Sequence, residues 1–158
     1  MVPTDEQQNL IPPDEQLIYT IEQVATRTGL TKRTLRYYEE VGLLPPTGRT
    51  EGNYRRYSEA DIQRLGRIKE LRDLLGFSLS DIREIIQAED ERGLIKLAYK
   101  QETSAEAKLA QLDRADELIR SQLHLIELKL TGLEDMRSTL LERLLRHEEK
   151  RKVLREQA

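Results

Sequence analysis

The order of apolar and polar residues along the chain predicts several short capped helices followed by one long helix. Thr20 is followed three positions later by Gln23, and apolar residues then recur at helical spacing up to Gly29. This is the pattern of a capping box, a single buried face and a left-handed glycine cap. Thr31 can cap a second helix that runs to Val41, and two short helices joined around a glycine are typical of a helix-turn-helix.

The predicted second helix has two different faces, and these give its adjacent tyrosines different roles. Leu35 and Tyr38 share one stripe, whereas Arg33, Arg36 and Tyr37 lie on another. Adjacent residues on a helix point about 100° apart. We therefore expect Tyr38 to pack inward and Tyr37 to point outward beside the arginines.

The next segment, 43–57, reads LLPPTGRTEGNYRRY and predicts a two-stranded wing with a flexible tip. Its prolines and glycines break any helix, and its last four residues alternate as a short strand. Alternation places Tyr57 with Arg55 on one face and Tyr54 with Arg56 on the other. One pair faces the body of the domain and the other faces solvent or DNA, and the sequence does not decide which.

Two further helices with serine caps are predicted after the wing. Ser58 caps a helix over about 59–75 that ends at Gly76, Ser78 caps another, and a polar linker is expected near 87–93. The apolar positions of the first helix are Ile62, Leu65, Ile68, Leu71, Leu74 and Leu75, and those of the second are Leu79, Ile82, Ile85 and Ile86. Both sets have the spacing of a buried helix face.

From about residue 102 the chain predicts one long helix with a heptad seam. The apolar members of the seam are Leu109, Leu112, Ile119, Leu123, Ile126, Leu130, Leu133, Leu140 and Leu144. Because such a face needs a partner, we expect these residues to hold a homodimer as an antiparallel coiled coil. Asp116 and Arg137 are polar at seam positions, where they could fix register in an antiparallel dimer or lie exposed where the helices diverge.

Further leucines lie outside the seam, and they are consistent with either a small apolar ligand site or additional helix packing. They are Leu118, Leu125, Leu128, Leu141 and Leu145. We favour packing. The whole pattern predicts a mostly α fold, divided into a disordered acidic arm (1–17), a winged helix-turn-helix domain (18–90), a coiled-coil dimerisation helix (100–150) and a polar tail (151–158).

The composition adds a charge pattern that the net charge of −3 conceals. Residues 27–56 carry seven basic side chains against three acidic ones, whereas residues 1–17 carry four acidic side chains and no basic one. Because salt screens charges beyond about 8–10 Å, a local basic surface matters more to a nucleic-acid partner than the total charge. With 37% hydrophobic and 35% charged residues, the chain favours a small core and exposed helices over one large globule.

Several classes of protein are disfavoured by what the sequence lacks. The absence of cysteine rules out disulfides, thiolate metal sites and a cysteine nucleophile. There is no phosphate-binding glycine loop or nucleophile elbow, and His124 and His147 stand 23 residues apart, so we expect no enzyme, cofactor or metal site. No apolar run approaches the roughly 18 residues that span a bilayer, and no signal peptide is visible, so a cytoplasmic protein is expected.

The motifs of residues 18–87 resemble those of the MerR family of bacterial transcription regulators. The resemblance is carried by YTIEQVATRTGLTKRTLRYYEEVGLLPP, by GNYRRYSEADIQRLGRIKELRDLLGFSLSDIREII, and by the long helix that follows. It implies a winged helix-turn-helix dimerised through antiparallel C-terminal helices. It also implies a palindromic double-stranded DNA operator, which the dimer bends and untwists so that RNA polymerase can engage.

Two features found in parts of the family are not expected here. Members that sense metals or oxidation use cysteines near the dimer helix, and this chain has none. Drug-sensing members carry a further ligand-binding domain, whereas this chain stops soon after the long helix. The resemblance therefore leaves open the signal, including any small-molecule inducer, the target genes and the sign of regulation.

Nine residues of the head are predicted to contact DNA. They are Lys32, Arg33, Arg36, Tyr37, Arg49, Tyr54, Arg55, Arg56 and Tyr57. Arg36 resembles the recognition-helix arginine of the family and is expected to meet a base edge or a phosphate, while Tyr37 is expected to donate its hydroxyl to a phosphate. An exposed Arg36–Glu40 pair would be worth only about 0.3–0.5 kcal/mol and leaves the outward tyrosine unexplained. Phosphate contact and a solvated helix face are equally consistent with Arg64, Arg67 and Arg72.

Two other functions share parts of this pattern. A structural coiled-coil adaptor would have a protein-binding head without a basic wing, whereas this head has one. An excisionase-like architectural protein shares the winged helix but is usually short. A helix of about 45 residues, about 65–70 Å long at 1.5 Å per residue, argues against the second alternative.

Overall fold

The computed structural model describes residues 16–45, 48–49 and 54–158, and the predicted acidic arm and wing tip lie almost entirely outside them. The chain forms two compact units that divide after Gln87. The helices and strands are β1 (Tyr19–Thr20), α1 (Ile21–Thr28), α2 (Lys32–Glu40), β2 (Gly48–Arg49), β3 (Arg55–Tyr57), α3 (Glu59–Lys69), a π-helical turn (Glu70–Leu74), α4 (Leu79–Gln101) and α5 (Ala105–Gln157). This is the mostly α fold with a small wing and a long C-terminal helix that the sequence predicts.

The two helices of the helix-turn-helix begin at the predicted caps. The Gln23 backbone N–H donates to Thr20 Oγ1 at 3.2 Å, and the Thr20 N–H donates to Gln23 Oε1 at 2.8 Å, which completes a capping box. Gly29 ends α1 with a φ of 71°, in the left-handed region that favours glycine. The Thr34 N–H donates to Thr31 Oγ1 at 3.1 Å at the start of α2. Both predicted helices are confirmed.

The wing belongs to a three-stranded antiparallel sheet rather than to an isolated hairpin. The strand order is β1-β3-β2, so β3 is the central strand. Tyr19 pairs with Tyr57, and Gly48 pairs with Arg56. The sequence did not predict β1, because two residues are too few to show alternation. The extra strand ties the wing to the segment that leads into α1.

The core of the first unit is built from the apolar faces of the predicted helices. Its buried apolar side chains are Val24, Leu30, Leu35, Tyr38, Leu43, Leu44, Tyr57, Ile62, Leu65, Ile68, Leu71, Phe77, Ile82, Ile85 and Ile86. Fully burying one such side chain is worth about 1.5–3 kcal/mol. Leu35 of α2 and Tyr57 of the wing belong to this core, so both elements pack against the body of the domain.

The end of α3 differs from the sequence prediction. The α-helix ends at Lys69 and continues as a π-helical turn, in which the Leu75 N–H donates to the Glu70 carbonyl at 3.1 Å. The expectation that Leu74 and Leu75 belong to the buried face was wrong, since their side chains are 76% and 45% exposed. A π-turn inserts one residue into the helical period, so the residues after it rotate away from the α-helical stripe.

The predicted polar linker at 87–93 was also wrong, because these residues lie inside α4. The helix is interrupted later, where Glu102 Oε1 accepts from the Thr103 and Ser104 backbone N–H groups at 2.9 Å each. The polar residues Gln, Glu and Arg are good helix formers, as is Ala, so a polar stretch without proline need not break a helix. Ser104 then caps α5, as its Oγ accepts from the Ala107 N–H at 3.3 Å.

The second unit is an antiparallel pair formed by the end of α4 and the start of α5. Arg92 Nη1 donates to Gln122 Oε1 at 2.9 Å, and the Lys108 ammonium lies 4.8 Å from the centre of the Tyr99 ring. Leu118 is buried, which supports packing rather than ligand binding for this leucine outside the seam. The predicted heptad seam lies on another face of α5, and all of its apolar members are exposed.

Candidate nucleic-acid interface

Helix α2 is fixed to the core through one face and presents its opposite face to solvent. Leu35 is fully buried and Tyr38 is 2% exposed, whereas Tyr37 is 45% exposed. The Tyr38 hydroxyl accepts a hydrogen bond from Arg72 Nη1. Burial raises the pKa of Tyr38, while the neighbouring Arg72 guanidinium acts in the opposite direction. The prediction that Tyr38 packs inward and Tyr37 points outward is confirmed.

The outer face of α2 forms an open depression with a basic and aromatic lining. It is lined by Arg33, Thr34, Arg36, Tyr37 and Glu40. Within the part of the chain that the structure describes, Arg36 and Glu40 form no ion pair with each other, so the exposed i,i+4 pair is not formed. The side chains of Arg36 and Tyr37 are both exposed on this face.

Lys32, at the first position of α2, forms an ion pair with another described residue. Its Nζ lies 2.8 Å from Glu22 Oε1 of α1. The hydrogen bond from Lys32 lowers the pKa of the Glu22 carboxyl. Both side chains are about half exposed, and exposed pairs of this kind are worth only about 0–1 kcal/mol. The lysine can therefore exchange this partner for a phosphate at little cost.

The structure decides which face of the wing strand points inward. Tyr57 is fully buried and Arg55 is mostly buried, whereas Tyr54 is 70% exposed and Arg56 is half-buried. The expectation that Tyr57 contacts DNA was wrong, because its side chain has no access to the surface. Its hydroxyl is buried without a hydrogen-bond partner among the described residues, and burial raises its pKa.

Arg55, which the sequence predicts to contact DNA, is directed at α2 rather than at solvent. Its Nε lies 3.0 Å from Glu39 Oε2, and the two side chains are only 22% and 15% exposed. This ion pair joins β3 of the wing to α2. Arg49 lies directly opposite Arg55 in the sheet, on strand β2. Pairing a partly buried arginine with a carboxylate offsets the cost of removing both charges from water.

The arginines of α3 and the π-turn have structural partners. Arg64 Nε donates to the Leu43 carbonyl at 2.6 Å, and Arg67 Nη1 lies 2.8 Å from Glu70 Oε2. Arg72 contacts Asp73 as well as Tyr38, and its hydrogen bond lowers the pKa of the Asp73 carboxyl. These three arginines therefore have a structural role within the head, whether or not they also contact phosphate.

Several contacts that hold the site together could not be predicted from the sequence. Arg27 of α1 binds Glu59 of α3 through two hydrogen bonds of 2.8 and 3.1 Å, which hold the pKa of the Glu59 carboxyl at about 2. Lys69 Nζ donates to the Thr28 carbonyl at 2.6 Å. These pairs lie 32 and 41 residues apart, and no local pattern links such distant positions.

Neither a metal centre nor a membrane segment is found in the described residues. No group of three or more histidine, cysteine, aspartate or glutamate side chains in residues 16–45, 48–49 and 54–158 could hold a metal ion. None of the helices in these ranges is long and apolar enough to cross a membrane.

Comparison with known proteins identifies the family of the chain. The family model described as MerR HTH family regulatory protein matches residues 19–89. The HTH-type transcriptional regulator YfmP of Bacillus subtilis (strain 168) is 36% identical over 120 residues, which cover 76% of this chain and 86% of YfmP. The regulator YyaN of the same organism is 33% identical over 123 residues, which cover 78% of this chain and 86% of YyaN.

Among solved structures, a MerR family transcriptional regulator from Bacillus cereus is 29% identical, with a TM-score of 0.41 over 75% of this chain and 78% of that one. The family assignment rests on the sequence relatives, because YfmP is similar over nearly its whole length. With its helix-turn-helix region matched in full, the chain belongs to the MerR family and is a DNA-binding transcription regulator.

Proposed function

We propose that this regulator acts in the cytoplasm as a homodimer that binds an inverted-repeat operator and distorts promoter DNA so that RNA polymerase can engage. The observation that carries the proposal is the outer face of α2. There Arg33, Arg36 and Tyr37 are exposed side by side, on a helix whose other face is buried through Leu35 and Tyr38. A rigid helix with exposed cations is the form in which a helix-turn-helix enters the major groove.

The residues of α2 divide into base and backbone contacts. Arg36 stands near the middle of the outer face, and we assign it to a base edge such as the O6 and N7 acceptors of a guanine, with a phosphate as the alternative. Tyr37 and Arg33 flank it and are suited to phosphate oxygens, which position the protein without reading sequence. Lys32 adds a further phosphate contact at the start of the helix.

The wing supplies a second set of backbone contacts. Tyr54 and Arg56 lie on its outward face, and Arg49 lies on the neighbouring strand. Arg55 acts as a positioning residue, because its ion pair with Glu39 sets the angle between the wing and α2. The two elements then approach neighbouring parts of the DNA as one unit.

The long helix supplies the dimer. A seam that includes Leu109, Leu123, Leu130 and Leu144 is exposed along α5, and burying it against a second copy removes about 25 cal/mol of unfavourable hydration per Å². A closed dimer of identical chains has a two-fold axis, so its two heads read two inverted half-sites.

Distortion of the operator follows because the two heads of one dimer bind the DNA at two places whose separation is set by the protein. Bending a 20–30 base-pair site by 40–90° costs on the order of 1–6 kcal/mol. Phosphate contacts from α2 and the wing of both protomers offset that cost, and they also make binding weaken with salt. An unidentified signal would shift the protein between a repressing and an activating DNA-bound shape.

The substitution Arg36→Ala tests the role of α2. We expect it to weaken binding to the operator by about 1–3 kcal/mol, the usual worth of a good base contact. Fluorescence anisotropy against the operator and against a random duplex separates the two modes. A loss confined to the operator identifies a base contact, and an equal loss on both duplexes identifies a phosphate contact.

Tyr57→Phe provides the matched control on the wing. The hydroxyl it removes is buried and has no DNA-facing surface, so affinity for both duplexes should stay at the wild-type value. If Arg36→Ala left both affinities unchanged, Arg36 would contact neither a base nor a phosphate, and its proposed role would be contradicted.

A further inference from the structure

We propose that Asp116 and Arg137 form an ion pair between protomers, and that this pair selects the antiparallel orientation of two α5 helices. The inference rests on the homodimer proposed above and names the residues that determine its geometry. Asp116 and Arg137 are the only two charged residues at seam positions between Leu109 and Leu144.

The two charged residues are placed symmetrically within the seam. Asp116 lies seven residues after Leu109, and Arg137 lies seven residues before Leu144. If the leucines of both protomers overlap over the full length of the seam, the two-fold axis passes through its centre, and residues equally far from the two ends lie at the same level. Asp116 of each protomer is therefore level with Arg137 of its partner, and the dimer contains this pair twice.

A parallel dimer places the same residues in the opposite relation. Each residue then meets its own copy, so that Asp116 faces Asp116 and Arg137 faces Arg137. Like charges at facing seam positions are destabilising, and charged residues at such positions specify orientation and register. The seam is thus complementary to a second copy of itself in one orientation and repels it in the other.

The side chains are free to make this contact. Asp116 is 56% exposed and lies 4.0 Å from Arg120 on the same helix. Arg137 is 68% exposed and lies 3.0 Å from Glu134, also on its own helix. Exposed pairs within one helix are worth about as little as other surface pairs. Either residue can leave its local partner for one in the more buried seam.

The contact tolerates the offset that knobs-into-holes packing introduces. Side chains of two antiparallel helices interleave, which displaces facing residues by three or four positions, or about 4.5–6 Å at 1.5 Å per residue. An arginine side chain spans a displacement of this size. The pairing of Asp116 with Arg137 therefore holds in each of the registers adjacent to the symmetric one.

Charge reversal tests the pair. Asp116→Arg and Arg137→Asp should each weaken the dimer by about tenfold or more, because each creates two like-charge contacts, and the double variant should recover most of the loss. Asp135→Arg is the matched control, since Asp135 lies two residues before Arg137 on the opposite side of α5 and should leave the dimer unchanged. Sedimentation equilibrium gives the dissociation constants.

Cysteine cross-linking reads the orientation directly, because the natural chain has no cysteine. Leu109→Cys protein mixed with Leu144→Cys protein should yield disulfide-linked heterodimers, which an antiparallel pair requires. Cross-links confined to Leu109→Cys with itself, or a double reversal that fails to recover stability, would overturn the inference while leaving a dimer that binds its operator. A wild-type chain that sediments as a monomer would overturn the homodimer itself.

Discussion

At the scale of single residues, the site shows which side-chain roles are fixed by local pattern and which are not. The opposite orientations of Tyr37 and Tyr38 follow from the helical period, and the sequence predicts them correctly. The roles of Arg55 and Tyr57 do not, because strand alternation offers two equivalent faces. Only the contact with Glu39, 16 residues away in the chain, decides between them.

The ion pair between α2 and the wing yields a prediction for Glu39→Gln. The change leaves the mostly buried guanidinium of Arg55 without its opposing charge. The free energy of unfolding should fall by about 1–3 kcal/mol, the cost of an unsatisfied buried group. Urea unfolding followed by circular dichroism measures this loss, and affinity for DNA should fall with it.

Glu40→Gln is the control for this prediction, because the neighbouring glutamate is exposed on the outer face of α2. Its unfolding free energy should stay within about 0.5 kcal/mol of wild type. Equal stabilities for the two variants would show that the Glu39–Arg55 contact does not hold the wing.

At the scale of elements, the start of each helix could be predicted and some of the ends could not. Thr20, Thr31 and Ser58 all cap as expected, since a hydroxyl three residues before a free N–H is a local signal. The π-turn after α3 carries no such signal, because the apolar spacing continues through it. The prediction of a linker at 87–93 was wrong because it treated a polar stretch as a helix break, although the stretch contains no proline and no helix cap.

The contact between α1 and α3 gives stability a dependence on acid. The folded state holds the pKa of Glu59 at about 2, below its ordinary value of 4.5, because Arg27 donates two hydrogen bonds to the carboxylate. A lowered carboxyl pKa contributes stability that is fully present above about pH 4.5 and is lost as the pH falls toward 2.

Glu59→Gln should therefore flatten the decline of stability between pH 4.5 and 2, relative to wild type. Arg27→Gln should flatten it in the same way, since the effect needs both partners. Thermal unfolding across this range makes the comparison. If the wild-type and variant curves ran parallel, the Arg27–Glu59 pair would contribute nothing to folding in solution.

At the scale of the whole molecule, the family and the fold could be predicted from the sequence in more detail than the assembly of the chains. The ordered motifs of the head identify the family, and relatives such as YfmP, which matches 76% of this chain, confirm it. The seam on α5 predicts a partner chain. The leucines of the seam are exposed in the single chain, which agrees with that prediction but does not identify the partner. A seam encodes its complement only through details such as the positions of Asp116 and Arg137.

The proposed distortion of DNA predicts a shorter distance between the ends of a bound operator. Fluorescence transfer across an end-labelled duplex should increase on addition of protein at constant salt, and a scrambled duplex of equal length should show no change. A tightly bound operator with unaltered transfer efficiency would mean that the DNA stays straight, and the distortion mechanism would then be wrong for this protein.

The most direct test of the account is to sequence the DNA that the purified protein selects from a library of random duplexes. A symmetric dimer with one α2 helix per protomer predicts two half-sites as an inverted repeat with a fixed separation. The Arg36→Ala variant should lose the preference at one base pair in each half-site. Enrichment of a single half-site, of direct repeats, or of no sequence at all would contradict the account.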